Sequence, residues 1–210
     1  MKDNTFITGG EYEADFIGTN SQGWNKAAFK RFVDSGNQVA ANRMKDDFAV
    51  KNNIATIEEW HGSRQESRDE RKSRQRLMLM KWFIDHQPKE RNPFNPSDKE
   101  EAQTLYLETV SAMEELLGKD NDLADELGLY SSLHSILDSA YQTDCFMECK
   151  GAFQPIDITK NPNKNNDGEV LVIQAEELEH MDVIKMKALD IAHHLIAQIQ
   201  GQGKFEQQAA

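Results

Sequence analysis

LYSSLHSILDSAYQTDCFMEC, residues 129–149, is the stretch on which the fold class turns. Leu129, Leu133, Ile136, Leu137, Ala140 and Tyr141 recur at spacings of three and four, which predicts one helix running towards Cys149. Cys145 and Cys149 then lie one turn apart on a helix face. They are the only cysteines of the chain, so no disulfide framework exists, and reduced thiols are expected. Zinc held by these two with His134 or His180 is disfavoured, because structural zinc uses tight Cys-x-x-Cys-like pairs.

The same period extends to both sides. Ala102, Leu105, Val110, Met113, Leu116 and Leu117 form a stripe that stops at Gly118, opened by a capping box at Ser97 and Glu100. Leu178, Met181, Ile184, Ala188, Ile191, Leu195 and Ile199 form the strongest stripe, stopped by Gly201. Leu195 is placed on its buried face and Gln198 on its solvent face. Pro155 to Gly168 reads as a loop. Val170–Ile173 reads as one short strand or a helix start. Asn163, Asn165, Asp167 and Gly168 echo a calcium loop, but Gln174 stands where a bidentate glutamate is needed.

Upstream, Trp24, Ala27, Ala28, Phe32 and Val33 precede Gly36, and Val39, Ala40, Met44, Phe48 and Ala49 follow it. This predicts a helix pair that fits the DNA-reading version poorly, since Phe32 and Asn42 occupy positions needing other residue types. Residues 3–17 read as an arm or a Gly9-Gly10 hairpin. Asn92-Pro93-Phe94-Asn95-Pro96 reads as a stiff linker. The expected fold class is therefore mainly α. It is a helical bundle with a small N-terminal extended arm or hairpin and at most one short strand near 170–173. The expected divisions are 1–22, a helical region 23–91, and an acidic helical bundle 92–210 that folds by itself.

Charge is the second organising feature. The chain carries net −12, but residues 62–91 hold 9 basic against 5 acidic side chains, and residues 92–210 hold 8 against 22. The segment HGSRQESRDERKSRQR, residues 61–76, contains no aliphatic or aromatic side chain. Its cations are Arg64, Arg68, Arg71, Lys72, Arg74 and Arg76, flanked by Trp60 and Trp82. Such a segment is expected to stay solvated or to lie against something acidic, because burying an unpaired charge costs several kcal/mol. Thr56 and Glu59 form a capping box, so a helix is expected to start there.

No nucleophile elbow or phosphate loop is present, and no cofactor is expected. The expected function is a non-catalytic interaction or accessory protein of a larger assembly. It contacts an acidic protein surface or nucleic acid through a basic helix within 61–76, and self-associates through the C-terminal helices. The alternative is a metal-dependent helical enzyme using Glu176, Glu177, Glu179, His180 and Asp182. Its Glu179 and Asp182 are similar to the magnesium-binding pattern of helical nucleotide pyrophosphohydrolases, although neither Glu100-Glu101 nor Glu114-Glu115 completes that pattern. Acidic residues also belong in a first helical turn on electrostatic grounds alone. The N-terminus lacks a signal-peptide pattern and no apolar run is long enough for a bilayer, so a cytoplasmic protein is expected.

Overall fold

A computed structural model describes residues 17–18, 22–88, 92–96, 100–118, 122–164 and 169–208, and the side chains of these except for 100, 101 and 202–208. The expected N-terminal arm, the Ser97 cap and the core of the calcium-like loop lie outside the described residues. In chain order the elements are α1 (Lys26–Asp34), α2 (Gln38–Lys51), α3 (Ile57–His61), α4 (Arg68–Ile84), α5 (Glu100–Leu117), β1 (Gly128–Ser131), α6 (Ile136–Tyr141), β2 (Cys145–Cys149), β3 (Ala152–Thr159), β4 (Leu171–Gln174) and α7 (Met181–Gln208). Among the described residues no helix is long and apolar enough to cross a membrane.

The all-helical bundle is overturned by a four-stranded sheet of order β1-β2-β3-β4. The first three strands are antiparallel neighbours and β4 runs parallel to β3. The expected helix over 129–149 is two strands with a six-residue helix between them. Ser135 caps α6 by accepting the Leu137 amide, and Gln142 ends it in the left-handed conformation at φ 55°. Cys145 and Cys149 therefore sit on a strand. Four residues along a strand place them about 13 Å apart, beyond disulfide reach, and both are buried outside any disulfide.

The sheet is buried on both faces, which is why its strands do not alternate. One face presents Leu129, Cys145, Met147, Ile156, Ile158 and Ile173 to α5 and α7. The other presents Tyr130, Phe146 and Phe153 to Trp60, Leu79 and Phe83 of α3 and α4 and to Tyr141 of α6. Tyr130 and Phe146 are cross-strand partners whose rings stack at 5.2 Å. This second cluster crosses the boundary expected at residue 92. Residues 92–210 alone leave that sheet face with α6 as its only helix among the described residues.

Strand β3 runs into the stretch from Pro155 that reads as a loop, and carries Gln154, Pro155 and Asp157, polar or hydrogen-bond-breaking residues. Each has a local solution. The N–H and C=O of Phe153 are met by Gln198 of α7, at 3.0 and 3.1 Å, so they point away from β2. Backbone groups alternate sides along a strand, so the missing N–H of Pro155 falls on the same side. That position precedes the first parallel pair, Ile156 with Leu171. The Pro155 carbonyl accepts from the Gln154 side chain. Asp157 pairs with Lys164 at 2.6 Å.

The last helix covers the stripe that the sequence shows but is not stopped by Gly201, since it runs on to Gln208, and Gln198 does not face solvent. It substitutes for a strand edge. Leu195→Asp is expected to cost about 4 kcal/mol or more, because Leu195 is fully buried. Gln198→Ala is expected to cost about 1–3 kcal/mol by leaving two backbone groups unpaired. Thermal melts of the two variants check this, and a silent Gln198→Ala contradicts the strand-edge role.

Candidate anion-binding cleft

Two consecutive capping boxes build the region. Thr56 and Glu59 start α3, and Ser67 and Glu70 start α4. Between them Gly62 turns the chain at φ 65°. The dihedral favours glycine there, and the Glu66 carboxylate and Arg74 guanidinium close over the space a Cβ would take. The basic segment is thus a turn followed by the first half of α4, and not a continuation of the helix begun at Thr56.

The six cations of the segment separate into groups. Arg74 binds Glu66 with Nε at 2.7 Å and Nη2 at 3.0 Å, and also donates to the Trp60 and Glu59 carbonyls. This guanidinium holds the Glu66 carboxyl below the usual carboxylate range. Arg76 is only 3% exposed and lies 3.4 Å from Glu169. Gln75 beside it is buried too. The expectation that this segment stays wholly out of the core is corrected by these residues, which are buried with partners. Arg64 is exposed in the turn.

Arg68, Arg71 and Lys72 face a different way. With Gln75 they line a cleft of about 750 Å³ between α2, α3, α4 and α6. Lys45 of α2 joins them, and Asp46, His61, Asp69, Asn42 and Gln142 complete the polar lining. Arg71 also approaches Glu66, with Nε at 3.7 Å. Asp46 is engaged by His61 at 3.2 Å. The floor is a buried hydrogen-bond chain in which the Tyr141 hydroxyl donates to Gln75, and the Gln75 amide donates to the Trp60 carbonyl. Trp24, just before α1, and Lys26 of α1 anchor α6 from behind, bonding Ser139 and Asp138 at 2.7 Å.

Among the described lining residues, Lys45, Arg68, Arg71 and Lys72 stand with the carboxylates of Asp46 and Asp69, and Arg71 also reaches Glu66. Burial lowers the Lys45 ammonium below the ordinary lysine range, and Arg68 and Lys72 push it down further against the opposing pull of Asp46. Its Nζ sits 5.8 Å from the Tyr141 ring centroid, within cation–π distance. Burial pushes the Tyr141 hydroxyl far above its usual range, so it remains a neutral donor.

Of the two tryptophans, Trp60 is 1% exposed and offers no face to a partner. Trp82 is half-buried at the far end of α4, stacked on His86 at 3.7 Å. Lys45 is the residue that sequence reasoning missed. It lies four residues from Ala41 and from Ala49, both buried, so a lysine on the inward face of α2 was the available signal. Val39, assigned to that face by period, is 72% exposed.

The acidic cluster is dispersed. Glu177 accepts the Gln174 amide at 2.8 Å and pairs with Lys187 at 3.3 Å. Glu176, Glu179, His180 and Asp182 are exposed. Among the described residues no group of three or more His, Cys, Asp or Glu side chains is gathered to hold a metal ion. Cys149 donates to the Leu123 carbonyl, and burial raises its thiol to about 11, which keeps it protonated and inert.

The separation of the cations is testable by stability alone. Arg74→Ala is expected to lower Tm by several degrees, and Arg68→Ala to leave it nearly unchanged, since Arg68 is exposed and contributes no buried partner. Equal shifts in paired melts contradict the division. Comparison with protein-family models, curated proteins and solved structures finds no match for this chain.

Proposed function

We propose that this is a non-catalytic interaction protein, an accessory component of a larger assembly, that grips an acidic partner with the cations at the start of α4. The observation that carries this reading is the gathering of cations from two helices in one cleft. Lys45, Arg68, Arg71 and Lys72 face Asp46 and Asp69 there, in a chain of net −12. Positive charge concentrated in a concave site focuses the field and raises the local concentration of anions. Arginine adds a bidentate fork for carboxylate or phosphate. Arg74 and Arg76 serve the fold, and so stand apart from the binding group.

Two further features fit the reading. Met186 and Leu189 are 53% and 40% exposed on the outer side of α7, which suits self-association through the C-terminal helices. The buried thiols, neither of them in a disulfide, suit a reducing, cytoplasmic setting.

The test uses fluorescence anisotropy with two labelled probes, a single-stranded oligonucleotide and a poly-glutamate peptide. The wild type is expected to bind one of them, more weakly as salt rises. The double variant Arg68→Glu, Lys72→Glu is expected to lose that binding while keeping the wild-type melt. Retention on the oligonucleotide identifies a nucleic-acid partner, and retention on poly-glutamate an acidic protein. Binding of neither probe by the wild type, or equal binding by the variant, overturns the reading.

A further inference from the structure

We infer that the tip of the α1–α2 hairpin and the outer side of the α5–α7 layer are the two halves of one interface, joined head to tail between copies of this chain. The inference rests on the reading of self-association through the C-terminal helices, and names the surface that those helices meet.

The hairpin tip is the first half. Asn25 caps α1 by accepting the Ala28 amide, and Asn37 caps α2 by accepting that of Ala40. Gly36 turns the chain between them at φ 73°, and the Asn37 amide donates to the Phe32 carbonyl at 2.9 Å. The turn is therefore held by its own hydrogen bonds. Phe29, Ala41 and Phe48 are buried, whereas Phe32, Val33 and Val39 are exposed on either side of the turn. Residues 30–43 carry Lys30, Arg31 and Arg43 against Asp34. Apolar side chains exposed together inside a polar rim mark an interaction site.

The second half lies across the sheet. Helices α5 and α7 pack together on the face opposite to the one that α1 and α2 help to cover. They leave Leu107, Leu116, Met186 and Leu189 exposed. Here the rim has the other sign. Helix α5 carries Glu108, Glu114 and Glu115 and no basic residue. Glu176, Glu179, Asp182 and Asp190 are exposed before and along α7, against Lys185. Lys187 is paired with Glu177.

Symmetry decides which surface meets which. In an isologous pair a patch meets itself. The acidic layer would then face its own like charges, and so would the basic tip, which disfavours both pairings. Tip against layer sets apolar on apolar and cation on carboxylate. The sheet stands between the two patches, so one copy presents them to different neighbours. The contact is heterologous, and it closes a ring or extends a chain of copies. An interface made by the tip of two helices falls at the small, transient end of the size range.

Sedimentation of the full chain over roughly 10–500 µM, the range of a transient contact, tests this. The average mass of the wild type is expected to rise with concentration. Val39→Asp puts a carboxylate where the acidic layer approaches, and Leu189→Arg puts a cation where the basic tip approaches. Each variant alone is expected to associate roughly tenfold more weakly or worse, as the loss of a central contact implies. An equimolar mixture of the two is expected to regain association, because each variant keeps the half that the other lacks. Melts establish that both are folded, and Phe32→Glu or Met186→Arg replaces a variant that melts early. Unchanged association in either variant, or no recovery in the mixture, overturns the head-to-tail pairing. If Leu189→Arg alone fails to associate, self-association through the C-terminal helices still stands. A wild type that stays monomeric throughout overturns both.

Discussion

A sheet buried on both faces allows no polar side to its strands, and the rest of the molecule follows from that constraint. Helices α5 and α7 cover one face and α3, α4 and α6 the other, so neither set can be removed without exposing aromatic or aliphatic area. The polar groups that remain inside are met individually. Gln198 closes the open edge of β3, Lys164 neutralises Asp157, and the Asp144 carboxylate accepts the Ile158 amide at 2.8 Å. Burial without these partners costs more than the strands gain by packing.

The helices were legible because their period is long and their caps are chemical. The pair around Gly36, the box at Thr56 and Glu59, and the stripe ending near Ile199 all follow from residue type and spacing. The strands were not. Cys145, Phe146 and Met147 are consecutive and buried, and a short apolar run has no period to separate strand from helix. The turn between β2 and β3 is Lys150-Gly151, with φ of 51° and 79°. That is the dihedral pattern of a two-residue hairpin turn, but lysine in the first position hides it, since asparagine or aspartate is the usual sign. Pro155 argued against a strand and is tolerated only because its missing N–H falls where no ladder bond is made.

The candidate site was legible in type and only in part by residue. The arginine-rich run marked the right segment. Composition cannot show that α4 turns its cations to two sides. The C-terminal half of the helix packs Leu79, Met80 and Phe83 into the core, which fixes its rotation. That rotation buries Arg76, turns Arg74 towards Glu66 and leaves Arg68 and Lys72 over the cleft. Lys45 belongs to another helix, and only tertiary packing brings it alongside them. The cleft is thus a by-product of how α4 covers the sheet, with its first turns overhanging the edge of the aromatic cluster.

The central claim is that packing brings Lys45 and the start of α4 into one cleft, where burial first, and the Arg68 and Lys72 charges beside it, disfavour the Lys45 ammonium. Titration of the lysine side chains by NMR tests it most directly. Lys45 is expected to lose its proton at lower pH than an ordinary lysine, and to move back towards the ordinary range in the double variant Arg68→Glu, Lys72→Glu. A Lys45 that titrates as an ordinary lysine in the wild type contradicts the account.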